Sequence, residues 1–190
     1  MVRTNIVVVV ISLLFVFVLC LGLAQTKTTT ETSTNRSQAN EVNIGCAAVT
    51  NHNAALMLEI FRAIEERNAP RLRELFDPDL EMHWPPSLPY GGTHAASTPG
   101  PVTWAQTWLP LQPTNAERRM DPRVVAAAGD EVVVLWQQRG VAPAGERFEG
   151  EVLALYKLHN GKLVRAQMFY FDTVATARFL ANARMEMQKK

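Results

Sequence analysis

The spacing of apolar residues changes period several times along the chain, and each change predicts an element. "NAALMLEIFRAIEERN" puts Met57, Ile60, Phe61 and Ile64 on one helical stripe, with Asn53 as the expected N-cap. Pro70 opens a second, short helix whose apolar face is Leu72, Leu75 and Phe76. "DLEMHW" alternates, Leu80, Met82 and Trp84 against Glu81 and His83, which predicts a strand with one buried face. Residues 85–101, "PPSLPYGGTHAASTPGP", hold five prolines and three glycines and read as a loop without regular structure. "VTWAQTWL" predicts a short helix with Trp104 and Trp108 on neighbouring turns. Strands follow in "RVVAAAG", "EVVVLWQQRGV", "RFEGEVLALYKL" and "KLVRAQMFYF", with turns at Gly129-Asp130, at Pro143 to Gly145 and at the Asn-Gly of "HNG". "DTVATARFLANARMEMQ" is the final helix.

Helices first, then a strand, a helix and an antiparallel meander, indicate an α+β domain. The expected architecture is a cone-shaped roll. A curved, mostly antiparallel sheet wraps around the N-terminal helices, and a C-terminal helix follows. The interior of such a cone is apolar and suits a small molecule.

Ahead of the domain, "MVRTNIVVVVISLLFVFVLCLGLAQT" has one early positive charge, an apolar run over residues 6–24 and a small-x-small exit, "GLA". Residues 1–24 are therefore expected to be a secretory signal cleaved after Ala24, giving a secreted or periplasmic protein. The alternative is an uncleaved anchor, since the apolar run nearly spans a bilayer; the membrane is then a partner only through residues 6–24, and the domain still lies outside the cytoplasm. Residues 25–50 are rich in Thr, Ser and Asn without hydrophobic periodicity and read as a disordered spacer, leaving 51–190 as the domain. Asn35-Arg36-Ser37 is a glycosylation sequon with meaning only in a eukaryotic secretory route.

A formal net charge of +1 gives no electrostatic case for nucleic acid. Cleavage of the leader removes Cys20 and leaves Cys46 alone, so no internal disulfide is expected and stability rests on the core. The four histidines are scattered without metal-ligand spacing, and there is no glycine-rich phosphate loop, so neither metal nor cofactor is expected.

The segments "IFRAIEERNAPRLRELFDPDLEMHW" and "RFEGEVLALYKLHNGKLVRAQMFYFD", with the helix after them, resemble SnoaL-like polyketide cyclases. These belong to the cone-fold superfamily shared with ketosteroid isomerases and nuclear transport factor two. The resemblance implies the fold. If the chain is an enzyme, it implies an isomerase, cyclase or lyase working by acid–base chemistry without a cofactor on a hydrophobic substrate. The alternative is a non-catalytic ligand-binding or dimerisation module, since this superfamily hosts many roles. The isomerase tyrosine would fall at Ile60, its general base at Trp84, and its protonated aspartate near Ala154 or Leu155. The cyclase pattern matches Gly150-Glu151 and "NGK" at 160–162, but its catalytic aspartate falls at Met168 and its histidine at Ala154. A later acid, closing the last strand, matches Asp172 after a one-residue gap.

Asp172, His83 and Tyr90 are the candidate catalytic residues. Asp172 stands where a helix begins and reads first as its N-cap. His83 alternates outward if Trp84 faces inward, and serves as a base only if a bulge turns it. Tyr90 either pins the Pro-rich loop or places its phenol over the pocket mouth. His94 and His159 read as solvated loop and turn residues. Trp84, Trp104, Trp108, Trp136, Met168 and Tyr170 are the candidate ligand-binding set; gathered at one cone end, the tryptophans favour a flat, hydrophobic small molecule. Glu149 and Glu151 share a sheet face with Leu153 and Leu155 and are expected to pair with Arg139, Arg147 or Arg165. In this superfamily that outer face often dimerises, so the resemblance allows a homodimer.

Overall fold

The computed structural model describes residues 31–97 and 102–189, with side chains from residue 47 onward. The leader at 1–24, the first part of the spacer, and the side chains of Asn35 and Cys46 lie outside the described residues. Among the described residues no helix is long and apolar enough to cross a membrane. Residues Ile44–Lys190 form one compact unit.

Helix α1 runs Glu31–Glu65 and α2 runs Ala69–Leu75. The expected start at Asn53 is therefore corrected: the helix is already formed there, and the composition of the spacer hid its beginning. Asn53 is buried because its side chain serves a tertiary contact. Its Nδ2 donates to Gly129 O at 2.9 Å, while the Thr50 hydroxyl accepts from Gly129 N at 3.0 Å. Two polar residues of α1 thus clasp one hairpin turn. Asn68 caps α2 by accepting from Arg71 N, with Pro70 in its first turn.

Strand β1 (Phe76–Trp84) takes Phe76 out of the helix to which it was expected to belong. β2 (Gly92–Ala95) lies inside the Pro- and Gly-rich stretch expected to be irregular. It is an edge strand of four residues, antiparallel to β1, and it pairs His94 with Met82 and Gly92 with Trp84. Helix α3 (Trp104–Trp108) starts at a capping box of Thr103 and Gln106, and α4 (Asn115–Arg118) at a second one of Thr114 and Glu117. The expected element order did not include α4.

The meander is β3 (Arg123–Ala128), β4 (Glu131–Val141), β5 (Arg147–His159) and β6 (Lys162–Tyr170), followed by α5 (Thr173–Met187). Gly129, Gly145, Asn160 and Gly161 take positive φ at the turns between these strands, as the Gly-containing turn sequences require. Sheet order is β2-β1-β6-β5-β4-β3, with β1 parallel to β6 and every other pair antiparallel. The fold is the expected α+β cone: six strands in a curved, unclosed sheet, with a C-terminal helix.

Two apolar clusters fill it. The larger packs Met57, Ile60 and Phe61 of α1 against Leu80, Val134, Val152, Ala154 and Met168 on the inner sheet face. The smaller gathers Leu88, Tyr90, Trp108, Leu111, Phe179 and Leu180 under α5.

Candidate functional site

The period-two pattern of "DLEMHW" turns Leu80, Met82 and Trp84 into the cone, and the helical stripe of α1 turns Met57, Ile60, Phe61 and Ile64 toward them. Between these faces lies a cavity of about 450 Å³. Trp84, Trp104 and Trp136 stand in its wall, with Met168, Ala166 and Tyr156 from the sheet. His94, Thr103 and Tyr156 are the lining residues with polar side-chain groups apart from the indoles, and no carboxylate side chain is among the described lining residues. Ile60, Trp84 and Met168, at which the sequence resemblance puts a phenol or an acid, all line it as apolar groups.

The four tryptophans are not gathered as a set. Trp108 stands outside the cavity, fully buried in the smaller cluster, roughly stacked on Phe179 with ring centroids 6.0 Å apart. Gly140 makes this possible: a Cβ there would sit 2.8 Å from Trp108 Cζ3. Of the two tryptophans of this short helix, Trp104 packs against both clusters and lines the cavity, whereas Trp108 is buried in the smaller cluster alone. Spacing alone does not disclose this.

Tyr90 and Tyr170 are also absent from the cavity lining. Tyr90 is 1% exposed, and its hydroxyl accepts from Trp108 Nε1 at 3.1 Å and donates to Tyr170 Oη at 3.1 Å. It pins the Pro-rich loop to the core rather than standing at a pocket mouth. The Tyr170 hydroxyl donates on to Gln138 Oε1 at 3.5 Å, which also accepts from Trp104 Nε1 at 3.4 Å. Trp108 and Trp104 can only donate, so they fix the polarity of this chain from both ends. Burial pushes the Tyr90 phenol up to about 12 and raises Tyr170 well above the ordinary tyrosine value, so both stay neutral. Gln138, fully buried, carried no sequence signal beyond its place on an alternating strand; its Nε2 and Trp136 Nε1 have no hydrogen-bond partner among the described residues. The network lies behind Trp84 and Trp104: Trp104 bonds it through Gln138, and Trp84 meets Tyr90 edge-on at 5.8 Å.

Asp172 is exposed and caps α5, its Oδ1 accepting from Ala175 N at 2.8 Å. It is not part of the cavity wall. His83 points to the other side of β1, where Nδ1 meets the Thr93 hydroxyl at 3.0 Å and Nε2 lies 3.3 Å from Glu81. No bulge turns it inward at that point, since β1 pairs regularly with β2 from Glu81 to Trp84.

His94, read from sequence as a solvated loop residue, stands instead in the cavity wall. Placing it needed β2, which the loop composition concealed. Its Nε2 lies 3.0 Å from Tyr90 O and 3.3 Å from Gly91 O, and its ring packs 5.7 Å from Trp84. Both oxygens are carbonyl acceptors, so Nε2 carries the proton.

On the outer face, Arg139 pairs with Glu149 at 2.7 Å, whereas Arg147 reaches Glu117 at 3.0 Å rather than a cross-strand acid. Arg165 bonds Gln167. Among the described residues no three His, Cys, Asp or Glu side chains converge as a metal site would require.

Comparison with known proteins places this geometry. Residues 57–166 match the family model described as a SnoaL-like domain. Among solved structures, TerC, co-crystallised with polyporic acid, is 21% identical at a TM-score of 0.57, covering 68% of this chain and 98% of TerC. Bal32a, from a soil-derived mobile gene cassette, is 16% identical at a TM-score of 0.52, covering 69% of this chain and 98% of Bal32a. An NTF2-like protein of Burkholderia pseudomallei is 20% identical at a TM-score of 0.51, covering 68% of this chain and 97% of that one. At these identities the likeness is one of fold. Comparison with curated protein sequences returned no match.

Proposed function

The chain belongs to the SnoaL-like domain family, and on that premise we propose that its cavity is the binding site of a small, flat, hydrophobic molecule. The observation that carries this reading is the cavity itself. About 450 Å³ lies within the usual range for ligand pockets, and the wall combines aromatic faces with few polar groups. A purely structural core of this size is normally packed without such a void. The experiment is a thermal-shift screen of flat apolar compounds, with polyporic acid, the compound crystallised with TerC, among them. A ligand that binds only the native state adds about 2.7 kcal/mol of stability at a hundredfold excess over Kd and so raises the melting temperature. Failure of every compound to shift the transition counts against the reading.

A second reading is cofactor-independent acid–base catalysis of isomerase, cyclase or lyase type in the same cavity. It is favoured by the imidazole of His94 in the wall and opposed by apolar residues at Ile60, Trp84 and Met168. Turnover of any compound found by the screen, abolished on His94→Phe, supports it; binding without turnover across the screen favours a non-catalytic module.

Two proposals rest on sequence and surface. The leader and its "GLA" exit support a domain exported from the cytoplasm, and N-terminal sequencing is expected to find Gln25 first; an intact Met1 in a membrane fraction indicates the anchor instead. The outer sheet face exposes Phe169 beside half-buried Leu153 and Leu155, a surface for a second copy of the chain. Phe169→Glu is expected to shift a dimer to monomer in sedimentation; a monomeric wild type removes this proposal.

A further inference from the structure

On the inner sheet face one row of residues runs from the β2 edge across β1 and β6 to β5. His94 on β2 pairs with Met82 on β1, Met82 with Ala166 on β6, and Ala166 with Tyr156 on β5. All four line the cavity. Its two polar members thus stand at opposite ends, with a thioether and a methyl group between them.

The ends differ in hydrogen-bond sense. At His94, Nε2–H is committed to the Tyr90 and Gly91 carbonyls, on the loop side of the ring. A neutral imidazole with a proton on Nε2 has a lone pair on Nδ1 and can only accept there. Nδ1 has no partner among the described residues. At the other end, Tyr156 is 7% exposed, and burial raises its phenol well above the ordinary value, so it remains a neutral O–H donor. Neighbouring strands are about 4.8 Å apart, so three strand spacings separate the two backbones by about 14 Å along the sheet, and curvature brings the two side-chain tips closer. That span suits a fused or linked aromatic system better than a single small ring.

On the reading of the cavity as a ligand site, we propose that it selects an elongated apolar molecule with a hydroxyl at one end and a carbonyl at the other. The hydroxyl donates to His94 Nδ1 and the carbonyl accepts from the Tyr156 hydroxyl. Met82, Ala166 and the surrounding tryptophans contact the apolar middle. His94 and Tyr156 are then the residues that set specificity and orientation, in a wall whose remaining polar side chain apart from the indoles, Thr103, is engaged in the cap of α3.

Four probes separate this from general apolar binding: naphthalene, 2-naphthol, 2-acetonaphthone and 6-hydroxy-2-acetonaphthone. Each is titrated calorimetrically into wild-type protein, His94→Phe and Tyr156→Phe. In wild type, each polar group is expected to tighten binding roughly three- to tenfold over naphthalene, with the hydroxyketone tightest. His94→Phe is expected to erase the hydroxyl increment and keep the carbonyl increment; Tyr156→Phe does the reverse. Naphthalene binding by each variant verifies its fold, and the wild-type series stands without any variant. Equal affinity of wild type for all four probes, or hydroxyl and carbonyl increments that survive both substitutions, overturns the assignment while leaving the cavity as an apolar site. No binding of any probe overturns the ligand-site reading and this inference with it.

Discussion

Met168→Asp introduces the acid that the sequence resemblance to SnoaL-like cyclases puts at this position, and its cost reports directly on the cavity wall. Met168 is 6% exposed, pairs with Ala154 across β5 and β6, and faces the cavity with Trp84 and Trp136. Losing most of a buried Met side chain costs about 2–5 kcal/mol. Burying a carboxyl without an assigned partner adds about 1–3 kcal/mol. A penalty of about 3–8 kcal/mol at neutral pH follows, a large share of the roughly 5–15 kcal/mol that holds a domain of this size. The sign of its pH dependence is fixed. Burial raises the folded-state pKa of the new carboxyl above its unfolded value of about 3.9, so relative stability is greatest below that value and falls as pH rises through the folded-state pKa. Met168→Leu is the control, expected to cost under about 1.5 kcal/mol. Urea melts at acidic and neutral pH measure all three proteins. A loss below about 1 kcal/mol for Met168→Asp at neutral pH, or no pH dependence, refutes the reasoning, because the position would then be wet enough to solvate a charge.

Asp172→Asn is expected to leave stability nearly unchanged, because Asn accepts the Ala175 N–H as Asp does, whereas Asp172→Ala loses about 1 kcal/mol; equal and larger losses in both would show that the charge itself is needed. Gly140→Ala places a methyl group 2.8 Å from the Trp108 ring and 3.3 Å from Phe179, and is expected to cost about 1–3 kcal/mol in denaturant melts; a neutral outcome would mean that Trp108 has room to move.

The cone was legible because its main signals are periodic. The α1 stripe and the alternation in β1, β4, β5 and β6 each commit a whole face, and the Gly-containing turns fix where one strand ends and the next begins. β2 was not legible. Four residues without an apolar run, set among prolines and glycines, acquire strand geometry only by pairing with β1. With β2 hidden, His94 could not be placed in the wall. The cap role of Asp172 was readable because a cap is local to its own helix. The division of Trp104 from Trp108 was not, because it depends on Gly140, far along the chain, leaving space for one ring. Tyr90 and Gln138 share that difficulty: their partners, Trp108, Tyr170 and Trp104, come from other elements and meet only in the folded core.

The central claim, that the cavity takes a flat apolar ligand, is tested most directly by the indole N–H resonances of the four tryptophans during titration with 2-acetonaphthone. Trp84, Trp104 and Trp136 stand in the cavity wall, and Trp108 is sealed in the other cluster, so one spectrum holds both probes and control. The first three resonances are expected to shift along a common saturating curve while Trp108 stays in place. Resonances that do not move, or a shift dominated by Trp108, would contradict it.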